Sequence, residues 1–242
     1  MNRDCDIGTL HQWIADARRI VFFGGAGVST ESGIPDFRST DGLYHQQYEY
    51  PPEQILSRQF FTEKADIFYS FYREKMIMPD AKPNAAHNTL AIWEKMGKLS
   101  AVITQNIDGL HQAAGSTNVL ELHGSLHRNH CTRCGAFFGL TAIAESTGIP
   151  RCACGGIIKP DVVLYGESLD NTVIEMSVTA LSDADVLIVA GTSLSVYPAA
   201  GLIDAYCGQQ LILINRTETQ RDRRANLVIR GNVGEILSGV PK

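Results

Sequence analysis

Short, strongly apolar runs recur along this chain, most of them rich in β-branched residues and several closed by glycine or a small polar residue. They are IVFF at 20–23, SAVITQN at 100–106, NVLELHG at 118–124, DVVLYG at 161–166, DVLIVAG at 185–191, QLILIN at 210–215 and NLVI at 226–229. A strand with one wet face alternates apolar and polar side chains; several of these runs hardly alternate, as strands covered on both faces do. Helical spacing of apolar residues lies between many of them, at 8–19, 84–96, 108–114, 170–181, 197–207 and 232–238. That alternation predicts an α/β fold, a parallel sheet with helices on both faces. Ligands of such sheets bind beyond the carboxyl ends of the strands. Polar residues collect at those ends, in FGGAG, TQNIDG, LHGS, AGTS and INRT.

Two segments break the pattern. Residues 39–78 are rich in aromatics and include the helical stretch FFTEKADIFYSFYREKM, and residues 124–160 carry four cysteines and two glycine-rich turns. Both read as insertions forming a smaller module over the ligand edge. The main domain is then 1–38, 79–123 and 161–242. No apolar run approaches the ~18 residues of a membrane helix, and the first residues lack an apolar signal core. The net charge of −5 argues against a nucleic-acid partner. These features lead us to expect a cytoplasmic monomer that binds neither membrane nor nucleic acid.

The first strand runs into Gly24, Gly25, Ala26 and Gly27. Gly25 and Gly27 form G-x-G after a strand, but Thr30 stands where the full dinucleotide fingerprint has its third glycine. The loop is either a tight turn or a backbone cradle for phosphate. A plain turn does not explain the continuation TESGIPDFRS, where Asp36, Phe37 and Arg38 offer a carboxylate, a ring and a fixed cation in succession.

Of the six cysteines, Cys131-x-x-Cys134 and Cys152-x-Cys154 stand seventeen residues apart in one insert. Four thiolates suit a closed tetrahedral zinc site, structural because no position remains for water. A disulfide pair or a redox CxxC are the other readings; the shared insert and its turn glycines favour zinc. At the strand ends, Gln105, Asn106 and Asp108 can make directed hydrogen bonds, and Asp108 can also cap the helix after it. His123 precedes Gly124 at the same edge and is placed for general-base work.

Together these pieces resemble the sirtuins, NAD-dependent protein lysine deacylases. The matching segments are GAGVSTESGIPDFR, TQNIDGLH, LHGS, the four cysteines, KPDVVLYGE, GTSLSVYPAA and the IN before Arg216, in family order over nearly the whole chain. The resemblance implies a Rossmann-like NAD-binding domain with a small zinc-binding and helical module, NAD as consumed co-substrate and one structural Zn2+. It places Gly25, Ala26, Gly27, Thr30, Phe37 and Arg38 along the phosphates and nicotinamide ribose. Gln105, Asn106, Ile107 and Asp108 form the nicotinamide pocket, and Gly191, Thr192, Ser193 and Asn215 the adenosine side. His123 matches the catalytic base, with Asn106 and Asp108 beside it. Cys131, Cys134, Cys152 and Cys154 match the metal ligands, although C-x-C departs from the common C-x-x-C.

The implied partner is an acyl-lysine protein or peptide, lying as an added strand between Val163, Leu164, Gly166 and Glu167 on one edge and Ser195, Val196 and Tyr197 on the other. The implied products are free lysine, nicotinamide and O-acyl-ADP-ribose. Tyr69 and Tyr72 fall where relatives that prefer succinyl-type groups carry Tyr and Arg; with no cation there unless Arg73 reaches in, neutral acyl groups are expected, acetyl first. Plain helix packing is the other reading of these tyrosines. Protein ADP-ribosyl transfer, or NAD sensing without turnover, would use the same pocket.

Overall fold

The computed structural model describes residues 3–37, 42–46 and 48–240. Six strands, β1 (Ile20–Gly24), β2 (Leu99–Thr104), β3 (Val119–Glu121), β7 (Val186–Ala190), β8 (Gln210–Asn215) and β9 (Leu227–Arg230), form one sheet in the order β3-β2-β1-β7-β8-β9. Every neighbouring pair is parallel. The remaining strands, β4 (Gly124–Cys131), β5 (Phe137–Phe138) and β6 (Ile158–Val162), make a separate antiparallel sheet ordered β5-β4-β6.

The non-alternating strand sequences have a direct cause. Ile20 and Phe22 enter one apolar core while Val21 and Phe23 enter another; Ile188 and Leu187 divide likewise on β7. Both faces of the sheet are thus dry, and all five residues of β1 and of β7 are buried. Helix α1 (Arg3–Asp16) and helix α5 (Ala85–Lys95) cover the first face through Leu10, Ile14, Leu90 and Trp93, together with α9 (Val233–Ser238) through Ile236 and Leu237. Helix α8 (Asn171–Asp183) and the 3-10 segment Ala199–Ala205 cover the second. Caps fix where these helices start: Asn84 Oδ1 accepts from Ala86 N at 2.9 Å, and Asp170 Oδ1 from Thr172 N at 2.7 Å.

From β1 the chain moves outward through β2 to β3, then returns to β7 on the other side of β1 and proceeds outward again. The reversal leaves a crevice at the carboxyl ends of β1 and β7, the switch point where doubly wound sheets bind ligands.

The small module has its own core, including Phe60, Phe61, Phe68, Tyr69, Tyr72, Leu126, Ile143 and Ile158. Its helical part, expected as one stretch over 60–76, is divided. Helices α2 (Pro52–Ile55), α3 (Arg58–Glu63) and α4 (Ala65–Phe71) run into a π-helical turn, Tyr72–Met76. The break between α3 and α4 falls at Lys64, whose backbone is non-helical at φ −138° and ψ 51°. The short helices α6 (Leu110–Ala113) and α7 (Thr141–Ala144) complete the set. The run at 161–166, read with the parallel strands, is a further difference. Asp161 and Val162 end β6 in the small sheet, paired with Ser125 and Gly124 of β4. The chain beyond them lies between the modules: Val163 N donates to the His123 carbonyl at 3.0 Å, and Tyr165 N to the Leu56 carbonyl at 2.9 Å.

Candidate functional site

The glycines after β1 are required by a close approach of two loops. Gly27 N donates to the Gly191 carbonyl at 2.8 Å, and Gly25 N to the Ala190 carbonyl at 3.1 Å. A Cβ on Gly27 would lie 2.8 Å from Gly191 Cα, and one on Gly25 2.7 Å from Thr192 Cβ. Gly191 itself is left-handed at φ 60°. The loop after β1 and the loop after β7 are therefore built as one unit across the switch point. Thr192 N donates to Asn215 Oδ1 at 3.0 Å, and Thr192 Oγ1 lies 3.4 Å from Gln105 Oε1, which ties in the ends of β8 and β2. Gln105 Nε2 and Asn215 Nδ2 are buried donors with no hydrogen-bond partner among the described residues. Buried amides left unpaired cost about 1–3 kcal/mol each, so an acceptor-rich ligand such as a dinucleotide fits this site.

A second cluster adjoins the first. Ser29, only 1% exposed, donates from Oγ to Asp108 Oδ2 at 2.6 Å and accepts from Asn106 Nδ2 at 3.0 Å. Asp108 Oδ1 accepts from Leu110 N at 2.9 Å, so the expected capping role and the side-chain network coexist. Asn106 N is held by Thr104 Oγ1 at 3.0 Å. Ser29 was not singled out from the sequence, though it lies in the quoted GAGVSTESG stretch; only the fold places it between residues 106 and 108.

His123 sits where the chain crosses from β3 to β4. Gly124, at φ 77°, cannot be any other residue without collision, because its Cβ would fall on the Asp161 carbonyl oxygen. The His123 Nδ1 lies 2.9 Å from the Gln105 carbonyl oxygen. A carbonyl only accepts, so Nδ1 carries the proton and Nε2 keeps its lone pair. Burial lowers the imidazole pKa below its ordinary value, partly offset by this hydrogen bond. A neutral imidazole with Nε2 free is the form a general base requires.

The other expected cofactor residues are distributed along the same edge. Ala26 opens a 3-10 turn, and the Thr30 hydroxyl is engaged locally with the Gly27 carbonyl at 3.0 Å. Phe37 packs against Tyr44 with ring centroids 5.5 Å apart. Ile107 accepts from Leu126 N at 3.0 Å, joining the pocket segment to β4. Ser193 Oγ lies 2.7 Å from Ser195 Oγ at the exposed lip of the loop. Arg38 lies outside the described residues. Asn84 Nδ2 holds the Val28 carbonyl at 2.8 Å and Ser32 Oγ at 3.0 Å, while Glu31 Oε2 accepts from Gly234 N at the start of α9. These anchors, which the sequence did not announce, fix the base of the segment leading to Phe37.

On the expected substrate side, Val163 and Leu164 run beside His123, Gly166 is left-handed at φ 87°, and Glu167 Oε2 is a brace accepting from Leu164 N and Lys159 Nζ. Ser195, Val196 and Tyr197 follow the Thr192 loop, with Tyr197 66% exposed. Tyr69 and Tyr72 are fully buried. The Tyr69 hydroxyl donates to the Ile158 carbonyl at 2.6 Å, and Tyr72 stacks on Phe68. Arg73 is drawn away to Ser146 Oγ and the Gly148 carbonyl. A cavity of about 440 Å3 lined by Tyr48, Tyr50, Ile67 and Phe71, among others, shares no residue with the strand-end site.

In the cysteine insert, the Cys131, Cys134, Cys152 and Cys154 sulfurs all lie within 4.8 Å of one another, with Cys131–Cys154 at 3.4 Å and Cys134–Cys152 at 3.7 Å. A tetrahedral zinc thiolate, with Zn–S near ~2.3 Å, has S–S edges of about 3.8 Å. All four are free thiols, so the C-x-C spacing still delivers a tetrathiolate set. The two turns that carry the pairs meet at Gly156, where a Cβ would lie 2.6 Å from Cys131 Sγ.

A doubly wound parallel sheet, glycine-linked loops at its switch point and a four-sulfur annex define a dinucleotide-binding α/β class with a zinc-type module. Within that class the chain belongs to the Sir2 family, whose model matches residues 25–198. It is 58% identical over 238 residues to an NAD-dependent protein deacetylase of Clostridium acetobutylicum, covering 97% of each chain. It is 54% identical over 241 residues to one of Clostridium perfringens, covering 98% of this chain and 99% of that one. Among solved structures, a Sir2 complex with p53 peptide and NAD+ superposes with a TM-score of 0.85 at 39% identity, covering 96% of this chain and 95% of that one. No helix among the described residues is long and apolar enough to cross a membrane.

Proposed function

We propose that this protein is an NAD-dependent protein lysine deacylase that removes acetyl groups, giving free lysine, nicotinamide and O-acyl-ADP-ribose. The observation that carries the reading is His123: a half-buried imidazole, its pKa lowered by desolvation, whose Nδ1 is fixed by the Gln105 carbonyl, beside the Ser29–Asp108–Asn106 cluster. Relatives named as NAD-dependent protein deacetylases over nearly the full chain support it.

NAD, when bound, would supply a ribose carbon at which the acyl-lysine carbonyl oxygen displaces nicotinamide, which leaves as a neutral group. The loops at 25–27 and 191–193 hold the dinucleotide, with Gln105 Nε2 and Asn215 Nδ2 as donors to its oxygens. Asn106 and Asp108, aligned by Ser29, orient the nicotinamide ribose. His123 Nε2 accepts the proton of a ribose hydroxyl, which makes that oxygen a nucleophile toward the acyl carbon. Phe37 covers the ribose face and excludes water. The acyl-lysine peptide lies between 163–167 and 195–197, pairing through its backbone. Tyr69 and Tyr72 are packed in the core of the small module, and Arg73 is held by Ser146 and Gly148, so neither position offers a cation to an acyl carboxylate and neutral acyl groups are favoured. The four cysteines hold one Zn2+, whose role is to fold the annex.

The test is incubation of a defined acetyl-lysine peptide with the protein, with and without NAD, beside His123→Ala. Loss of acetyl that requires both NAD and His123 supports the reading. An ADP-ribose adduct on protein with no deacylation would replace it by transferase activity. NAD binding without either product would replace it by a sensor.

A further inference from the structure

Leu194 is the one non-glycine residue with a left-handed backbone among the described residues, at φ 52°. A residue with a Cβ adopts that conformation at a free-energy cost, and such strain persists where the surroundings over-determine it. Two restraints do so here. The Leu194 side chain is 6% exposed, in the same core as Val189 and Leu213. Its N–H donates to Thr192 Oγ1 at 3.2 Å, and Thr192 is anchored in turn to Asn215. On the far side of the bend the chain emerges, with Ser195 exposed and Tyr197 66% exposed, and Val196 O accepts from Ala200 N at 2.9 Å as the next 3-10 segment begins.

We propose that Leu194 is a positioning residue for the acyl-lysine peptide. Its left-handed bend, held from the nucleotide side by Thr192 and from below by the core, aims the Ser195–Tyr197 segment along the peptide. The inference rests on the reading that this segment receives the peptide. The Thr192, Asn215 and Gln105 contacts precede the bend or lie on other strands. Because Thr192 is also fixed by Asn215 and Gln105, the conformation of residue 194 bears on peptide affinity far more than on nucleotide affinity.

An isomeric pair of side chains separates the bend from simple burial. Leu194→Ile keeps the number of buried carbons but is β-branched, and β-branched residues are the ones that left-handed backbone excludes most strongly. Leu194→Met keeps an unbranched Cβ and packs adaptably. The expected result is a peptide KM raised roughly tenfold or more in L194I, with kcat and the NAD KM within about twofold of wild type. L194M stays within about threefold on all constants. Calorimetry with ADP-ribose reports folding independently of peptide, and its Kd is expected to be the same in all three proteins. Equal peptide KM values in L194I and L194M would overturn the proposal, as would a matching rise in the NAD KM or loss of ADP-ribose binding in L194I. Absence of NAD-dependent deacylation in the wild-type protein would instead overturn the functional reading beneath it.

Discussion

The strand-end site and the cysteine annex reach order by opposite routes. At the switch point, loops after β1 and β7 are bound to each other through Gly25, Gly27 and Gly191, over two cores packed against either face of the sheet. In the annex, short strands and turns converge on four free sulfurs. The first region is held by contacts of the chain with itself, and among the described residues it presents two buried, unpaired amide donors, Gln105 Nε2 and Asn215 Nδ2. The second gathers four sulfurs that, once deprotonated, would repel one another unless a metal neutralised them. Nucleotide binding should therefore survive loss of the annex, whereas catalysis, which needs His123 at the junction of the two, should not.

The largest effect that would break this contrast is expected from Cys131→Ala. Structural zinc contributes about 10–16 kcal/mol to folding of small metal-dependent units, so deacylation should fall below detection while calorimetry still records ADP-ribose binding. Loss of both would show that the parallel sheet depends on the metal as well. Next comes His123→Ala, expected to lower kcat by about 10²–10⁴-fold with ADP-ribose affinity retained. In the wild-type enzyme activity should decline as pH falls, since protonated His123 cannot accept a proton. Because burial depresses this pKa, the acid limb of kcat/KM should lie below the ordinary imidazole value of 6.5. A limb at or above 6.5 would contradict a neutral, partly desolvated base.

Gly27→Ala tests the loop junction. Its Cβ would press on Gly191, and overpacking of this kind costs about 1–3 kcal/mol; the expected loss is about 10–100-fold in ADP-ribose affinity, read by calorimetry. The smallest effect at neutral pH, growing only in acid, concerns His87 and His111, buried with ring centroids 4.6 Å apart. Burial lowers their pKa values to about 4 and about 3. Both lie below the unfolded imidazole value, so the unfolded chain binds the extra protons. Stability is then whole above pH ~6.5 and is lost as pH falls toward the folded values, by up to about 3 kcal/mol for one group near pH 4. His111→Phe should flatten the decline in Tm between pH 6.5 and pH 4, and an unchanged slope would contradict it.

The parallel sheet was legible because buried strands declare themselves locally: β1, β7 and β8 are apolar at nearly every position, and polar residues cluster where they end. The cysteine set was legible from spacing. Partner choice was not. Nothing in DVVLYG distinguishes a strand of the main sheet from one whose Asp161 and Val162 pair with β4, since that depends on a segment more than thirty residues earlier. The same non-locality hid Ser29, which acts through residues 106 and 108, and Glu31, which caps α9 from the other end of the chain. The helix over 60–76 was divided by the Lys64 backbone, in a stretch without glycine or proline to announce a break.

The most direct test of the whole account is product stoichiometry on an acetyl-lysine peptide, followed by liquid chromatography with mass detection. The proposed reaction yields one nicotinamide and one O-acetyl-ADP-ribose for each lysine freed. Lysine freed with acetate as the initial product and no nicotinamide would contradict it.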